Sequence, residues 1–232
     1  MATSSNFGAG GERLTHPELL DYLASRLIEN GRSIKALHRE IMLSAAYQLS
    51  AKRVGDADPE NRWFARANVR RLDVESLRDS LLFVGGALDT TVGGPPVELS
   101  GPENRRRTLY ARIRRSVYVC NSGTGGLDRM LQLFDFPDPT TSVDHRTNTN
   151  VPLQGLFFLN SALVMQASER LAARVSASDA DAVGRIGKAY EILFGRPPSA
   201  EEVKLGIEFL QEGAWPQYAQ ALLGSGAFYF VN

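Results

Sequence analysis

The chain has one cysteine, Cys120, among 232 residues, which excludes an internal disulfide, a four-cysteine zinc site and a CxxCH haem attachment. Cys120 sits in SVYVCNSG beside apolar residues, with no histidine close in sequence, and reads as a plain buried thiol rather than a nucleophile. Long hydrophobic runs are missing as well. The best candidate, VPLQGLFFLNSALVMQA, is broken by Asn160 and Ser161, so membrane insertion is not expected. Neither sign of charge dominates: 26 Lys plus Arg balance 26 Asp plus Glu, and no global field would steer nucleic acid towards the protein. The clusters Arg70-Arg71, Arg105 to Arg107 and Arg114-Arg115 have acidic neighbours and read as solvated or salt-bridged faces. MATSSNFGAGGERLTHPELL lacks a basic segment leading into an apolar one, so it is not a signal peptide. Its abrupt Gly-rich start suggests the C-terminal part of something longer. G-x-S-x-G, H-E-x-x-H, a basic helix-turn-helix and the aromatic pattern of RNA binders are all absent.

What is present is an ordinary globular composition, 43% apolar and 22% charged, arranged mostly at helical spacing. Thr15-His16-Pro17-Glu18 reads as a capping box ahead of Leu19, Leu20, Leu23, Leu27 and Ile28, with Asn30-Gly31 as a left-handed stop. Ser33 caps a second helix with the face Ile34, Leu37, Ile41, Ala45 and Gln48, and the short connection implies antiparallel packing. Pro59-Glu60 opens a further helical segment in this reading. Asp73 is an N-cap, with Val74, Leu77, Leu81 and Val84 turned inwards and Gly85-Gly86 at the end. The stretch 86–107 is too rich in glycine and proline for regular structure, and we read it as a long loop rather than a linker. Residues 108–119 alternate weakly and read as a short strand or hairpin. A short helix then carries Leu127, Met130, Leu131 and Phe134. Pro152 opens one helix with the inner face Leu153, Leu156, Phe157, Asn160, Val164, Ala167, Leu171 and Val175. Further helices run from about Asp179 to Phe194 with Gly195 as the stop, from the Ser199–Glu202 capping box to Gly213, and after Trp215-Pro216. The fold expected is mainly α, an irregular multi-helix bundle with long loops and at most a short strand pair, forming a single domain over residues 1–232.

The polar motif FDFPDPTTSVDHRTNTNVPLQ concentrates the candidate binding residues Asp135, Asp138, Asp144, His145 and Arg146. Carboxylates and an imidazole in one loop could take a divalent cation or divide acid and base roles. The bonding read ahead of these is structural: Asp135 and Asp138 cap turns while Arg146 pairs with one of them, leaving a tied-down loop. No spacing here matches a metal loop, so no metal or cofactor is assigned. Asn160 reads as a buried amide bracing this motif, His38 as a helix-packing histidine, and His16 as satisfied by local hydrogen bonds. The glycines of TVGGPPVELSGPENRRR lack a phosphate-loop pattern and read as loop only.

Taken together, THPELLDYLASRLIENGRSIKALHREIMLSAAYQLS, RRLDVESLRDSLLFVGGAL, GGPPV, FDFPDPTTSVDHRTNTNVPLQGLFFLN, LFGRPPSAEEV and YAQALLGSGAFYFVN resemble the planctomycete-specific domain 1 family, the domain of unknown function 1553. The resemblance spans almost the whole chain. It departs at Gly224-Ser225-Gly226-Ala227, at Asn150-Val151 and at Gly155, where alanine is usual. It implies the C-terminal module of a long exported bacterial protein, set in the periplasm or cell envelope. The upstream half would carry a domain of unknown function 1549 and often a cytochrome c domain. A scaffold or interaction role, without catalysis by this chain alone, is the reading expected. A carbohydrate-binding or carbohydrate-active site on the Asp135–Arg146 loop is the alternative. The scaffold reading predicts exposed apolar surface near residues 1–31 or at the AFYFVN end.

Overall fold

The computed structural model describes residues 6, 8–52, 58–98, 104–113, 126–138, 141–177 and 181–231. Cys120, Val117, Val119 and the Arg114-Arg115 pair lie outside the described residues, as do Asp179 and the middle of the glycine-rich loop. The protein is mainly α, and it divides into two compact units, residues 1–70 and residues 71–231.

The first unit is built on α1 (Pro17–Glu29) and α2 (Ile34–Met42). Gly31 and Arg32 both adopt left-handed φ, 64° and 60°, and Arg32 N–H closes the turn on the Leu27 carbonyl at 2.8 Å. Ser33 Oγ then accepts from Ala36 N–H and starts α2, as its sequence position predicts. Glu40 ties the two helices together, accepting from Tyr22 Oη at 2.6 Å and Arg26 Nε at 3.1 Å. These bonds, Tyr22 first, hold the Glu40 carboxyl below the usual range. Leu23, Leu27, Leu37 and Ile41 are half-buried. No residue of α1 or α2 is fully buried.

Four expectations fail in this unit. The second helix ends at Met42, short of Ala45 and Gln48, and Ile34 of its expected inner face is exposed. The N-cap of α1 is His16, whose side chain makes no cap bond; the Thr15 hydroxyl lies 2.9 Å from His16 Nδ1 instead, so the capping box does not form. His38 is exposed, because each helix of a two-helix hairpin has only one face to cover and His38 is on the other. Pro59-Glu60 starts a turn, not a helix, since Asp58 takes the N–H groups of Arg62 and Trp63.

The second unit holds the core. Its elements are α3 (Val74–Val84), a 3₁₀ turn (Thr108–Tyr110), α4 (Gly126–Leu133), α5 (Pro152–Asn160), α6 (Ala162–Ser176), α7 (Ala182–Phe194), α8 (Ala200–Glu212), α9 (Trp215–Leu223) and α10 (Gly226–Tyr229). Two-residue strands β1 (Arg70–Arg71) and β2 (Phe230–Val231) pair, and Leu72 N–H extends the ladder to Tyr229 O at 2.8 Å. One cluster joins Val74, Leu77 and Leu81 to Met130, Phe134, Phe158, Val164, Leu223 and Phe228. A second joins Leu171, Val175, Ile186, Tyr190, Tyr218 and Leu222. The apolar faces read for α3 and α6 are the ones buried. Asp73 caps α3, and Gly195 ends α7 at φ 65°.

Two stretches differ from expectation. Residues 108–110 form the 3₁₀ turn rather than a strand, because Asp79 of α3 takes both the N–H and the hydroxyl of Thr108, at 2.8 and 2.7 Å. Buried Arg78 donates to the carbonyls of Asn104 and Arg106 at 2.8 and 2.9 Å. The loop 86–107 therefore belongs to the second unit, tied to α3 by its own backbone. The single helix read from Pro152 is two helices, α5 and α6, because Ser161 is extended (φ −76°, ψ 128°). Gln220 of α9 stabilises the break, donating Nε2 to the carbonyls of Phe158 and Leu159, both at 3.0 Å.

The Ser199–Glu202 capping box is formed as its sequence predicts, and Arg196 adds a two-pronged ion pair to Glu202 at 2.7 and 2.8 Å. Arg196, followed by the Ser199 bonds, holds the Glu202 carboxyl down at about 2 against an ordinary 4.5. A carboxyl depressed in the folded state stabilises fully above its unfolded value and loses that contribution as pH falls towards the folded one. Wild-type melting temperature should therefore fall between pH 4.5 and about 2 more steeply than that of Glu202→Gln. Parallel profiles of the two proteins across that window would refute this.

Candidate functional site

The polar motif lies between α4 and α5 in the second unit. Its first acidic residue, Asp135, has a left-handed backbone (φ 61°), which is uncommon outside glycine and tolerated by aspartate. That turn aims its carboxylate at three donors. Arg71 Nη2 donates at 2.6 Å, Thr149 N–H at 2.8 Å and Thr149 Oγ1 at 2.8 Å. The Arg71 side chain is 2% exposed and that of Asp135 14%. The guanidinium also donates to the carbonyls of Leu72 (3.0 Å) and Thr149 (3.2 Å) and lies over the Phe134 ring at 5.1 Å. Gln154, on the first turn of α5 and 2% exposed, completes the network. Its Nε2 donates to the carbonyls of Leu133 (2.9 Å) and Thr149 (3.2 Å), and its Oε1 accepts from Val151 N–H. Arg71, Asp135, Thr149 and Gln154 thus form a polar latch, buried at Arg71 and Gln154 and open to solvent at Thr149, that closes the motif into a loop.

The remaining candidates are placed elsewhere on that loop. Asp138 is exposed, and its carbonyl accepts from Thr141 N–H. Asp144 and His145 form an exposed pair, with Nδ1 3.0 Å from the Asp144 carboxylate. Arg146 reaches α3, where Glu75 accepts both guanidinium prongs at 2.7 Å; those bonds raise the Arg146 guanidinium above its ordinary value. Arg146 also lies over the Phe136 ring at 5.3 Å. The five residues therefore engage different neighbours: Asp135 the latch, Asp138 the Thr141 N–H through its carbonyl, His145 the Asp144 carboxylate, and Arg146 the Glu75 carboxylate. Among the described residues no three His, Cys, Asp or Glu side chains come together as a metal-ligating group.

Asn160, expected to brace the motif, is exposed and donates to Leu156 O in its own helix. The brace is Gln154. Leu153 and Leu156, expected inside, are 61% and 51% exposed, because the covered face of α5 is Gln154–Phe157–Phe158. A Cβ at Gly155 would meet nothing within 4 Å, so the departure from alanine there leaves the packing unchanged. The signal that could have marked Gln154 is its place three residues after Val151, where a glutamine reaches back to the N-cap amide.

A helical core with an Arg–Asp–Thr–Gln latch across its polar motif defines a mainly α-helical module. The chain belongs to the family described as PSD1, protein of unknown function (DUF1553), whose model matches residues 1–210. No curated protein and no solved structure matches it.

Proposed function

We propose that this chain is a scaffold or interaction module of an exported bacterial multidomain protein of the cell envelope, and that it docks on the upstream half of that protein. The observation that carries this reading is the apolar surface of the hairpin α1–α2. Leu20, Ile28, Ile34 and Met42 are 51%, 67%, 63% and 55% exposed, while no residue of either helix is fully buried. Ile34, His38 and Met42 follow one another at a spacing of four along the uncovered side of α2, the pattern of a helix that meets a partner. The polar motif supports the same reading, since Asp135, His145 and Arg146 each engage neighbours in the fold. Among the described residues no helix is long and apolar enough to cross a membrane, and a protein surface is the natural cover for such a face.

The test is a binding titration between this chain and the separately produced upstream half. Ile34→Glu with Met42→Glu should weaken the complex by about tenfold or more, the scale of an interface centre. Undiminished binding by the double variant, or no binding by the wild type, would overturn the proposal.

A further inference from the structure

Two stretches of the second unit carry no charged side chain. Residues 147–168 hold no Asp, Glu, Lys, Arg or His, and neither do residues 213–231, in a chain that is 22% charged. The fold brings these stretches together. Gln220 of α9 donates to the carbonyls of Phe158 and Leu159 at the end of α5, both at 3.0 Å. A Cβ added at Gly224, just after α9, would lie 3.6 Å from the Cβ of Phe158. Neither stretch contributes a charge to the surface around this contact.

What α5 turns outward is apolar. Gln154, Phe157 and Phe158 occupy its covered side, and Pro152, Gly155, Leu156 and Leu159, all exposed, stand at helical positions i, i+3, i+4 and i+7 on the other. Leu156 is 51% exposed, Leu159 65%, and Leu153 on the flank 61%. Gly155 sits amid this face within regular helix, and a Cβ there would meet nothing within 4 Å. Nothing inside the chain requires a glycine at that point, where it weakens the helix relative to alanine. Its effect is a gap in the side-chain cover, through which the backbone of a second helix can come close to α5.

We propose that this face joins two copies of the chain into a dimer, with the two α5 helices crossing at Gly155. In a two-fold dimer one patch meets itself, so any charge on it would face its like. A surface without charge can meet itself at no electrostatic cost. Homodimer interfaces are also more apolar than those between different proteins. Partners of different sequence are steered and selected by complementary charge, and these two stretches offer none. A helix that lies on a membrane surface carries Lys and Arg along its polar side, which α5 and its flanks lack. This face belongs to the second unit and the α1–α2 hairpin to the first, so the two surfaces take different partners.

Sedimentation velocity of the full chain over a range of concentrations measures the association. The wild type should dimerise reversibly. Leu156→Glu with Leu159→Glu sets like charges against each other across the two-fold axis and should raise the dissociation constant about tenfold or more, the scale of an interface centre. Gly155→Leu should weaken the dimer as much. It should leave the melting temperature of the dilute monomer unchanged or higher, because the new side chain enters open space and leucine favours helix. Ile34→Glu with Met42→Glu, on the hairpin, should dimerise as the wild type does. Circular dichroism should show all three variants folded, since every replaced residue is exposed. A wild type that stays monomeric at about 100 μM, where a micromolar dissociation constant would leave most of it dimeric, overturns the proposal. So does a dimer that survives unweakened in either α5 variant or is lost in the hairpin variant. A monomeric wild type that floats with phosphatidylcholine vesicles would assign the face to a lipid surface instead.

Discussion

Replacing Arg71 with alanine should lower the stability of the second unit by about 3–5 kcal/mol, the usual loss when one member of a buried ion pair is removed. The side chain is 2% exposed and reaches the Asp135 carboxylate at 2.6 Å. Its removal leaves that carboxylate mostly buried with only Thr149 as partner, and it strips donors from the carbonyls of Leu72 and Thr149. Each buried acceptor left without a donor has a desolvation cost of its own. Arg71→Lys should recover part of the loss, because an ammonium keeps the charge but cannot fork across several acceptors. Urea unfolding followed by circular dichroism measures all three proteins. A loss below about 1 kcal/mol in Arg71→Ala would place the latch among weak surface pairs and refute its role in closing the motif.

Truncating Phe158 to alanine should cost a similar amount, about 3–5 kcal/mol. This ring is 2% exposed at the centre of the first core cluster. Tyr229 stacks on it at 4.9 Å, and Phe157 and Phe134 meet it edge-on at 5.7 and 6.2 Å. Three segments distant in sequence converge there, so neither side of the cavity can collapse without moving a helix. Phe158→Leu keeps most of the volume and should cost only about 1–1.5 kcal/mol. Equal losses for the two variants would mean that ring geometry, not filled volume, governs the site.

The positions most legible in the sequence are those whose signal is local. Ser33, Asp73 and Ser199 cap their helices, and Gly195 ends one, because each acts on amides or carbonyls within four residues of itself. The periodic faces of α3 and α6 were legible for the same reason. α5 was not. Its apolar residues run nearly all round, so periodicity could not separate the covered side, Phe157 and Phe158, from the open side, Leu153 and Leu156. Nor could it show the break at Ser161, which depends on Gln220 in another helix. The candidate motif was visible as a polar segment, but its organisation rests on long-range partners. Arg71 holds Asp135, and Glu75 holds Arg146, and nothing in the local sequence of either partner marks that role.

The pairing of Leu72 with Tyr229 has a consequence for how the protein is made. The opening segment of the second unit is joined to its closing segment, so the ladder cannot form while Tyr229 is still inside the ribosome. The helices in between can form as they emerge, but their common core also includes Leu223 and Phe228. Completion of this unit is therefore an event that follows synthesis of nearly all its residues, a long-separation closure rather than a stepwise addition of helices.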